Sequence, residues 1–166
     1  MIEELNLLCP YKVSLNPETS TYYFTTSNSV EYSLVFLDSL GYLQNTTTGH
    51  LISKVFSLNI DKLNGSKAVL DPDVKTTISC IVSYFFRDIE NSLLYVCDYT
   101  DAKHEARKRK FNAWYNSSDN TDFKKLDDCI NTEDGEHNTS LIYNINNPFS
   151  NHLEASYVEA VEALKK

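Results

Sequence analysis

Residues 92–115 read SLLYVCDYTDAKHEARKRKFNAWY, and this stretch decides the predicted fold. Its beginning, residues 93–96, is a short apolar run typical of a buried strand, and the polar residues 98–101 make a turn. A basic helix follows. The residues that share one face of this helix at helical spacing are His104, Arg107, Phe111 and Trp114. The stretch therefore predicts a strand, a turn and a helix with an aromatic stripe.

Three strands are predicted before this stretch. Residues 22–26 are rich in β-forming side chains, and residues 30–37 alternate apolar and polar side chains, as in a half-buried strand. These two segments are predicted to form an antiparallel hairpin. A third strand is predicted within residues 51–63, ended by the turn-forming pair Asn64-Gly65. The intervening segment 41–50 is polar and threonine-rich, which predicts a mobile surface loop.

Two helices are predicted outside the central stretch. The first begins at Asp71-Pro72, an N-cap acid followed by proline at the first helical position, and is expected to end within residues 87–91. Its apolar stripe consists of Val74, Ile78, Ile81, Val82 and Phe85. The second helix follows Pro148. Its apolar face consists of Leu153, Tyr157, Val161 and Leu164, and its solvent face of Glu154, Glu159 and Glu162.

Two further strands, residues 123–130 and 139–145, are predicted to join through a hairpin turn at Asp134-Gly135. The order β-β-β-α-β-α-β-β-α predicts an α+β fold, a single two-layer domain with a largely antiparallel sheet and helices mainly on one face. A mixed sheet with a β-α-β crossover through residues 71–97 is the competing arrangement. Residues 1–20, which contain two prolines, are predicted to form an N-terminal arm, and residues 21–166 the domain.

Composition and charge limit the class of protein. The 166-residue chain is 42% hydrophobic and 23% charged, which is typical of a globular domain. Its net charge of −8 argues against general nucleic-acid coating, which needs clustered lysine and arginine. Cysteines at positions 9, 80, 97 and 129 form no Cys-x-x-Cys pair, which favours reduced thiols. Neither a membrane span nor a secretory signal is recognised, so a cytoplasmic protein is expected.

Arg107 shares its predicted helix face with Phe111 and Trp114, and a guanidinium near a core needs a carboxylate partner. Asp98 and Asp101 are the nearest acids in the sequence. The favoured interpretation is an ion pair between Arg107 and one of these acids that fixes the turn. The alternative is that Arg107 binds an anion.

Two catalytic interpretations are open, and both are disfavoured. Cys97, Asp98 and His104 could be a nucleophile, an orienting acid and a base, although a strand cysteine is more often a small buried apolar residue. A metal-dependent nuclease or nucleotide-acting enzyme could use Asp73, Asp98, Asp101 and Lys103, with carboxylates on Mg²⁺ and the lysine beside a phosphate. However, Asp73 is already explained by a helix start. No cofactor or metal is predicted, because the histidines lack ligand spacing.

Basic residues are concentrated in one segment, which consists of Lys103, Arg107, Lys108, Arg109 and Lys110, with Lys124 and Lys125 further along the chain. Aromatic residues nearby, such as Tyr99 and Tyr115, would allow this neighbourhood to bind phosphates and stack bases. The favoured interpretation is a solvated helix face that meets an acidic partner.

Four short motifs carry a resemblance to a known family. They are Tyr23-Phe24-Thr25-Thr26, Asp73-x-x-x-Thr77-Ile78, Tyr95-Val96-Cys97-Asp98-x-x-Asp101 and Arg107-x-x-x-Phe111-x-x-Trp114. With Asn147-Pro148 before the last helix, residues 20–160 resemble a domain-of-unknown-function family of short bacterial proteins, chiefly from Bacteroidetes. The resemblance implies a compact cytoplasmic bacterial protein and assigns no functional residue.

The sequence thus predicts a small, non-enzymatic binding module that meets a protein partner through its basic helix. Nucleic-acid binding through residues 103–110 is the less favoured alternative. The sequence gives no oligomeric state.

Overall fold

The computed structural model describes residues 2–64, 70–96, 109, 112–113, 115–116, 120–133 and 135–165. The α-helices described along their whole length are α1 (Ile2–Asn6), α2 (Pro72–Phe85) and α3 (Ser150–Leu164), and residues 109, 112–113 and 115–116 are also helical. The strands are β1 (Val13–Asn16), β2 (Thr21–Thr25), β3 (Glu31–Asp38), β4 (Val55–Lys62), β5 (Ser92–Val96), β6 (Phe123–Thr132) and β7 (Gly135–Asn144). Short 3-10 helices occupy Leu40–Tyr42, Gly49–Leu51 and Asn120–Asp122.

The seven strands form one sheet in the order β1-β2-β3-β4-β5-β7-β6. The pairs β1–β2, β2–β3, β5–β7 and β6–β7 run antiparallel, whereas β4 and β5 run parallel. The predicted α+β fold with a largely antiparallel sheet is confirmed. The competing β-α-β crossover is also present as one part of this sheet, because α2 lies between β4 and β5 in the chain.

The predicted start of α2 is confirmed. The Asp71 carboxylate accepts a hydrogen bond from the Asp73 backbone nitrogen over 3.0 Å, so it satisfies one of the amide groups left free in the first turn. Pro72 follows at the first helical position, where its missing N–H costs nothing. The buried residues of the helix are Thr77, Ile78, Ile81 and Val82.

The chain forms two compact units, of which unit 1 comprises Met1–Leu37 and Leu58–Arg87. Aromatic side chains contribute much of its packing. The rings of Phe36 in β3 and Phe85 in α2 stack with centroids 4.0 Å apart and planes within 6°. Phe24 stacks on Tyr32 at 5.1 Å and on Tyr11 at 6.0 Å. Rings of this size bury large apolar areas, so these stacks fix β2, β3 and α2 within unit 1.

Regular structure in the first twenty residues differs from the expected arm. The Asn6 side chain, at the end of α1, donates to the Val13 carbonyl over 2.9 Å and accepts from the Val13 amide over 2.6 Å. β1 begins at Val13 and pairs with β2 in the register Val13↔Phe24. A single amide side chain thus joins α1 to the first strand, a long-range effect that local periodicity does not reveal.

Unit 2 comprises Asp38–Ser57 and Asp88–Lys166. Its core draws buried side chains from the Leu43–Val55 region, from three strands and from α3, namely Leu43, Ile52, Val55, Leu94, Ile130, Leu141, Tyr143, Leu153, Tyr157 and Val161. The β6–β7 hairpin closes at the pair Thr132↔Gly135, as the Asp-Gly signal predicts. Gly135 has φ +132°, a conformation that favours glycine.

Most of segment 41–50 is exposed, as predicted for a surface loop, but two of its residues are buried. Leu43 is only 1% exposed, and Gly49 is buried at the start of a 3-10 helix. A β-carbon added at Gly49 would lie 2.1 Å from the Leu43 carbonyl oxygen. The polar side chains of this loop also form hydrogen bonds with α3.

Candidate functional site

Most of the predicted site residues lie outside the described residues. These are Asp98, Asp101, Lys103, His104, Arg107, Lys108 and Lys110, together with the predicted core residues Cys97, Phe111 and Trp114. Arg109 is described, and its side chain is exposed on a helical turn. Of the residues in and around the predicted site, the structure describes Arg109, Asp73 and the lysines of β6, and the site itself stays a prediction.

Asp73 occupies the first turn of α2 and is exposed. Its carbonyl accepts a hydrogen bond from the Thr77 hydroxyl over 2.7 Å. The preceding Asp71 is also engaged, because the Tyr11 hydroxyl donates to its second carboxylate oxygen over 2.6 Å. The Pro72-Asp73 pair thus has a complete structural explanation as a helix start.

The two lysines of β6 each contact an acid. The Lys124 ammonium lies 2.7 Å from a Glu154 carboxylate oxygen in α3, and the Lys125 ammonium lies 2.5 Å from Asp127. Lys125 also lies 5.8 Å from the centre of the Tyr115 ring. These contacts neutralise much of the charge that the two lysines would add to a basic patch.

Glu154 is also the acceptor for the Tyr143 hydroxyl. The hydrogen bond from Lys124, followed by that from Tyr143, holds the pKa of Glu154 below its ordinary value of 4.5. Burial, followed by the hydrogen bond to Glu154, raises the pKa of Tyr143. The phenol therefore stays protonated and the carboxylate ionised at neutral pH, which is the stable donor–acceptor arrangement between β7 and α3.

The threonine segment, residues 46–48, forms several side-chain hydrogen bonds with α3. The Ser156 hydroxyl oxygen lies 2.8 Å from that of Thr46 and 2.8 Å from that of Thr48. The Glu159 carboxylate accepts from the Thr47 amide over 2.9 Å and from its hydroxyl over 3.2 Å. Sequence reasoning missed these contacts. A run of threonines predicts a loop, but it does not indicate which helix the loop contacts.

A small apolar cavity lies within unit 2 between the Leu43 region, the sheet and α3. Its volume is about 70 Å³, and its lining includes Leu94, Ile130, Tyr157 and Val161. Sites for drug-sized ligands span about 300–1,000 Å³. Burial raises the pKa of the Tyr157 phenol to about 12, which keeps it neutral. The cavity therefore suits core packing better than a substrate.

A larger open groove of about 360 Å³ runs along α2 in unit 1. Hydroxyl, thiol and apolar groups line it, contributed by Leu8, Thr76, Ser79, Cys80, Ser83, Tyr84 and Arg87. The Arg87 guanidinium lies 2.6 Å from the Glu4 carboxylate and 4.9 Å from the centre of the Tyr84 ring. Because Arg87 already has an acid partner, it adds little to anion binding in this groove.

The described residues were also compared with the requirements of a metal site and of a membrane-spanning helix. Among the side chains that the structure places, no three His, Cys, Asp or Glu residues form a group that could hold a metal ion. Within the same ranges, no helix is both long and apolar enough to cross a membrane.

Comparison with known proteins gives a family of unknown function, DUF6169, whose match covers residues 70–157. The match includes α2, β5, β6, β7 and half of α3, which is more than half of the chain. It confirms the resemblance to a domain-of-unknown-function family. No curated protein matches the chain.

Proposed function

The chain belongs to DUF6169, and we propose that it is a cytoplasmic bacterial binding module, not an enzyme, whose basic segment, residues 103–110, binds an acidic surface of a partner protein. One observation carries the proposal. Within an acidic chain of net charge −8, these eight residues hold five of the 15 lysines and arginines and a single acid, Glu105. Clustered charge of one sign steers a partner of the opposite sign and accelerates association.

Two lysines outside the basic segment differ from it, because each forms ion pairs with nearby acids. Lys54 contacts Asp88 and Glu90 at 2.8 and 2.9 Å, and Lys165 contacts Asp128 at 2.9 Å. Such ion pairs hold neighbouring segments together, and they leave little positive electrostatic potential to attract a partner. The basic segment has one acid for its five cations within the sequence, and its described member, Arg109, is exposed.

Nucleic acid is the less favoured partner for the same charges. The surrounding chain is strongly acidic, and phosphate backbones would be repelled by it. A nuclease or nucleotide-acting enzyme that uses Asp73, Asp98, Asp101 and Lys103 is the rival function. An acid in the first turn of α2 is favoured by the helix dipole without any catalytic role, so Asp73 adds little support and this rival rests chiefly on the three remaining residues.

A capture experiment tests the proposal. Tagged protein is incubated with lysate of the native host at low ionic strength, and bound material is identified before and after nuclease treatment. We expect to capture a protein with an acidic surface, and we expect it to remain bound after nuclease treatment. The variant K108Q/R109Q/K110Q should lose it, and the control K12Q/K62Q/K75Q, which removes three exposed lysines elsewhere, should retain it.

The rival functions predict different results in the same experiment. Capture that nuclease abolishes would identify nucleic acid as the partner. Magnesium-dependent cleavage of DNA or RNA that Asp98→Asn and Asp101→Asn abolish would establish the nuclease and overturn the proposal. Equal capture by both triple variants would also overturn it.

A further inference from the structure

Unit 1 brings together two thiols that are distant in the sequence. Cys9 lies between α1 and β1, and Cys80 lies in α2. The Cys80 thiol donates a hydrogen bond over 3.2 Å to the carbonyl oxygen of Leu8, which belongs to the peptide that joins Leu8 to Cys9. Both cysteines are free and partly exposed.

The two thiols also influence each other. Burial, the negative charge of a Cys80 thiolate and a hydrogen bond to Cys80 raise the pKa of Cys9 to about 12. The geometry brings them within reach of a disulfide. The Leu8 carbonyl oxygen lies one peptide unit from the Cys9 α-carbon, so its contact with the Cys80 sulfur at 3.2 Å places that sulfur within about 6 Å of the Cys9 α-carbon. The α-carbons of bonded cysteines are usually about 4.4–6.8 Å apart, so a disulfide needs only a modest further approach.

We propose that Cys9 and Cys80 are an oxidation site that forms a reversible intramolecular disulfide in response to hydroperoxides. The site does not depend on the proposed function, because it lies in unit 1 and uses none of the residues of the basic segment.

The positions of the two thiols assign their roles. Cys80 lines the open groove of about 360 Å³ along α2, which a small peroxide can enter. Cys9 does not line this groove and holds its proton at neutral pH, because its pKa is raised. Cys80 is therefore the thiol that meets the oxidant, and Cys9 is the thiol that resolves the product.

The chemistry is balanced in two steps. The Cys80 thiolate attacks one oxygen of hydrogen peroxide, so an S–O bond forms, the O–O bond breaks and the departing hydroxide is protonated to water. The Cys9 sulfur then attacks the sulfur of the Cys80 sulfenic acid. An S–S bond forms, the S–O bond breaks and the hydroxide leaves as water with the Cys9 proton. Two thiols lose two electrons, and one peroxide becomes two waters.

The bond would tie the chain between α1 and β1 to the middle of α2. It would replace the single hydrogen bond from Cys80 to Leu8 with a covalent link and close a long loop of the unfolded chain. Oxidation should therefore raise the denaturation midpoint of unit 1, and a dithiol reductant should reverse the change.

Peptide mapping of the native wild-type protein tests the site directly. The protein is titrated with hydrogen peroxide, free thiols are alkylated with iodoacetamide, and digests are analysed without reduction. We expect a Cys9–Cys80 cross-linked peptide at the lowest peroxide dose at which any thiol escapes alkylation. This peptide should disappear after treatment with dithiothreitol. Oxidation of Cys97 or Cys129 with Cys9 and Cys80 still alkylated, or a cross-link between two chains, would overturn the proposal.

Three variants separate the roles. Cys9→Ser should leave Cys80 at the sulfenic acid, which dimedone traps, whereas Cys80→Ser should give neither the cross-link nor a dimedone adduct at Cys9. Cys129→Ser, whose thiol contacts Glu136 in the β6–β7 hairpin, is the matched control and should cross-link as the wild type does. A dimedone adduct at Cys9 in Cys80→Ser would contradict the assigned order.

Discussion

The hydroxyl oxygen of Ser156 lies 2.8 Å from that of Thr46, although the two residues belong to distant parts of the chain. Thr48 lies equally close on the other side, and its hydroxyl also donates to the His152 carbonyl over 3.2 Å. Ser156 is fully buried, so its hydroxyl depends on these threonines for hydrogen bonds. The contact explains how a polar segment packs closely onto α3 within unit 2.

Replacement of Ser156 with alanine should destabilise the protein. The side chain keeps nearly the same volume, but the Thr46 and Thr48 hydroxyls each lose a partner. We expect a loss of about 1–3 kcal/mol in the free energy of unfolding, measured by urea denaturation. Thr47→Ala, which removes an exposed hydroxyl contact to Glu159, should cost less than about 1 kcal/mol. Equal midpoints for wild type and Ser156→Ala would show that the hydroxyl contacts contribute nothing.

Two glycines in the same region should respond differently to alanine. At Gly49 the new β-carbon would lie 2.1 Å from the Leu43 carbonyl oxygen, a backbone atom that cannot move alone. We expect Gly49→Ala to cost about 1–3 kcal/mol or more. At Gly41 the nearest atom is a flexible Gln44 side-chain nitrogen at 4.0 Å, so Gly41→Ala should be neutral or slightly stabilising. Thermal unfolding of the two variants side by side measures the contrast, and similar melting temperatures would refute the close approach.

Asp71 should be important as an acceptor at the start of α2. Its two carboxylate oxygens accept from the Asp73 amide and from the Tyr11 hydroxyl. Asp71→Ala removes both contacts and should cost about 1–2 kcal/mol, whereas Asp71→Asn retains a capping oxygen and should cost less. Urea denaturation followed by far-ultraviolet circular dichroism gives both values. Equal losses in the two variants would mean that the charge, which both remove, matters more than the capping oxygen.

Glu154 should confer a pH-dependent stability. Its pKa is lowered by the hydrogen bonds from Lys124 and Tyr143, so its contribution is present above its ordinary pKa of 4.5 and is lost as the pH falls through the lower folded value. At pH 7, Glu154→Gln should be less stable by under about 1 kcal/mol, since Lys124 is half exposed. The difference should shrink below pH 4.5.

A double-mutant cycle at two pH values isolates this pair. Lys124→Gln, Glu154→Gln and the double variant should show coupling at pH 7 and weaker coupling at pH 3, because the folded pKa of Glu154 is lowered and protonation removes the ion pair. Coupling of the same size at both pH values would assign the stability to interactions that do not depend on the charge.

Sequence patterns predicted the elements whose causes are local. Asp71-Pro72 specified the start of α2, and Gly135 specified the turn of the β6–β7 hairpin, because each acts through its own backbone conformation. The patterns failed where the local structure depends on contacts between residues that are far apart in the chain. Asn6 joins α1 to β1 through Val13, and the threonine segment contacts α3 through Ser156.

The same distinction applies to the sites. Helical spacing could place Arg109 on a basic helix, but no spacing could show that Lys124 meets Glu154 in α3. Nor could the separation of Cys9 and Cys80 in the chain reveal that the Cys80 thiol contacts the Leu8–Cys9 peptide, since the packing of the α1–β1 connection onto α2 creates this contact.

The affinity of the captured partner for three forms of the chain tests the central claim most directly. At low salt, we predict that K108Q/R109Q/K110Q binds at least about tenfold more weakly than wild type, and that added salt weakens wild-type binding most. The control K12Q/K62Q/K75Q should bind as the wild type does. Equal dissociation constants for all three forms would contradict the assignment of residues 103–110 as the binding surface.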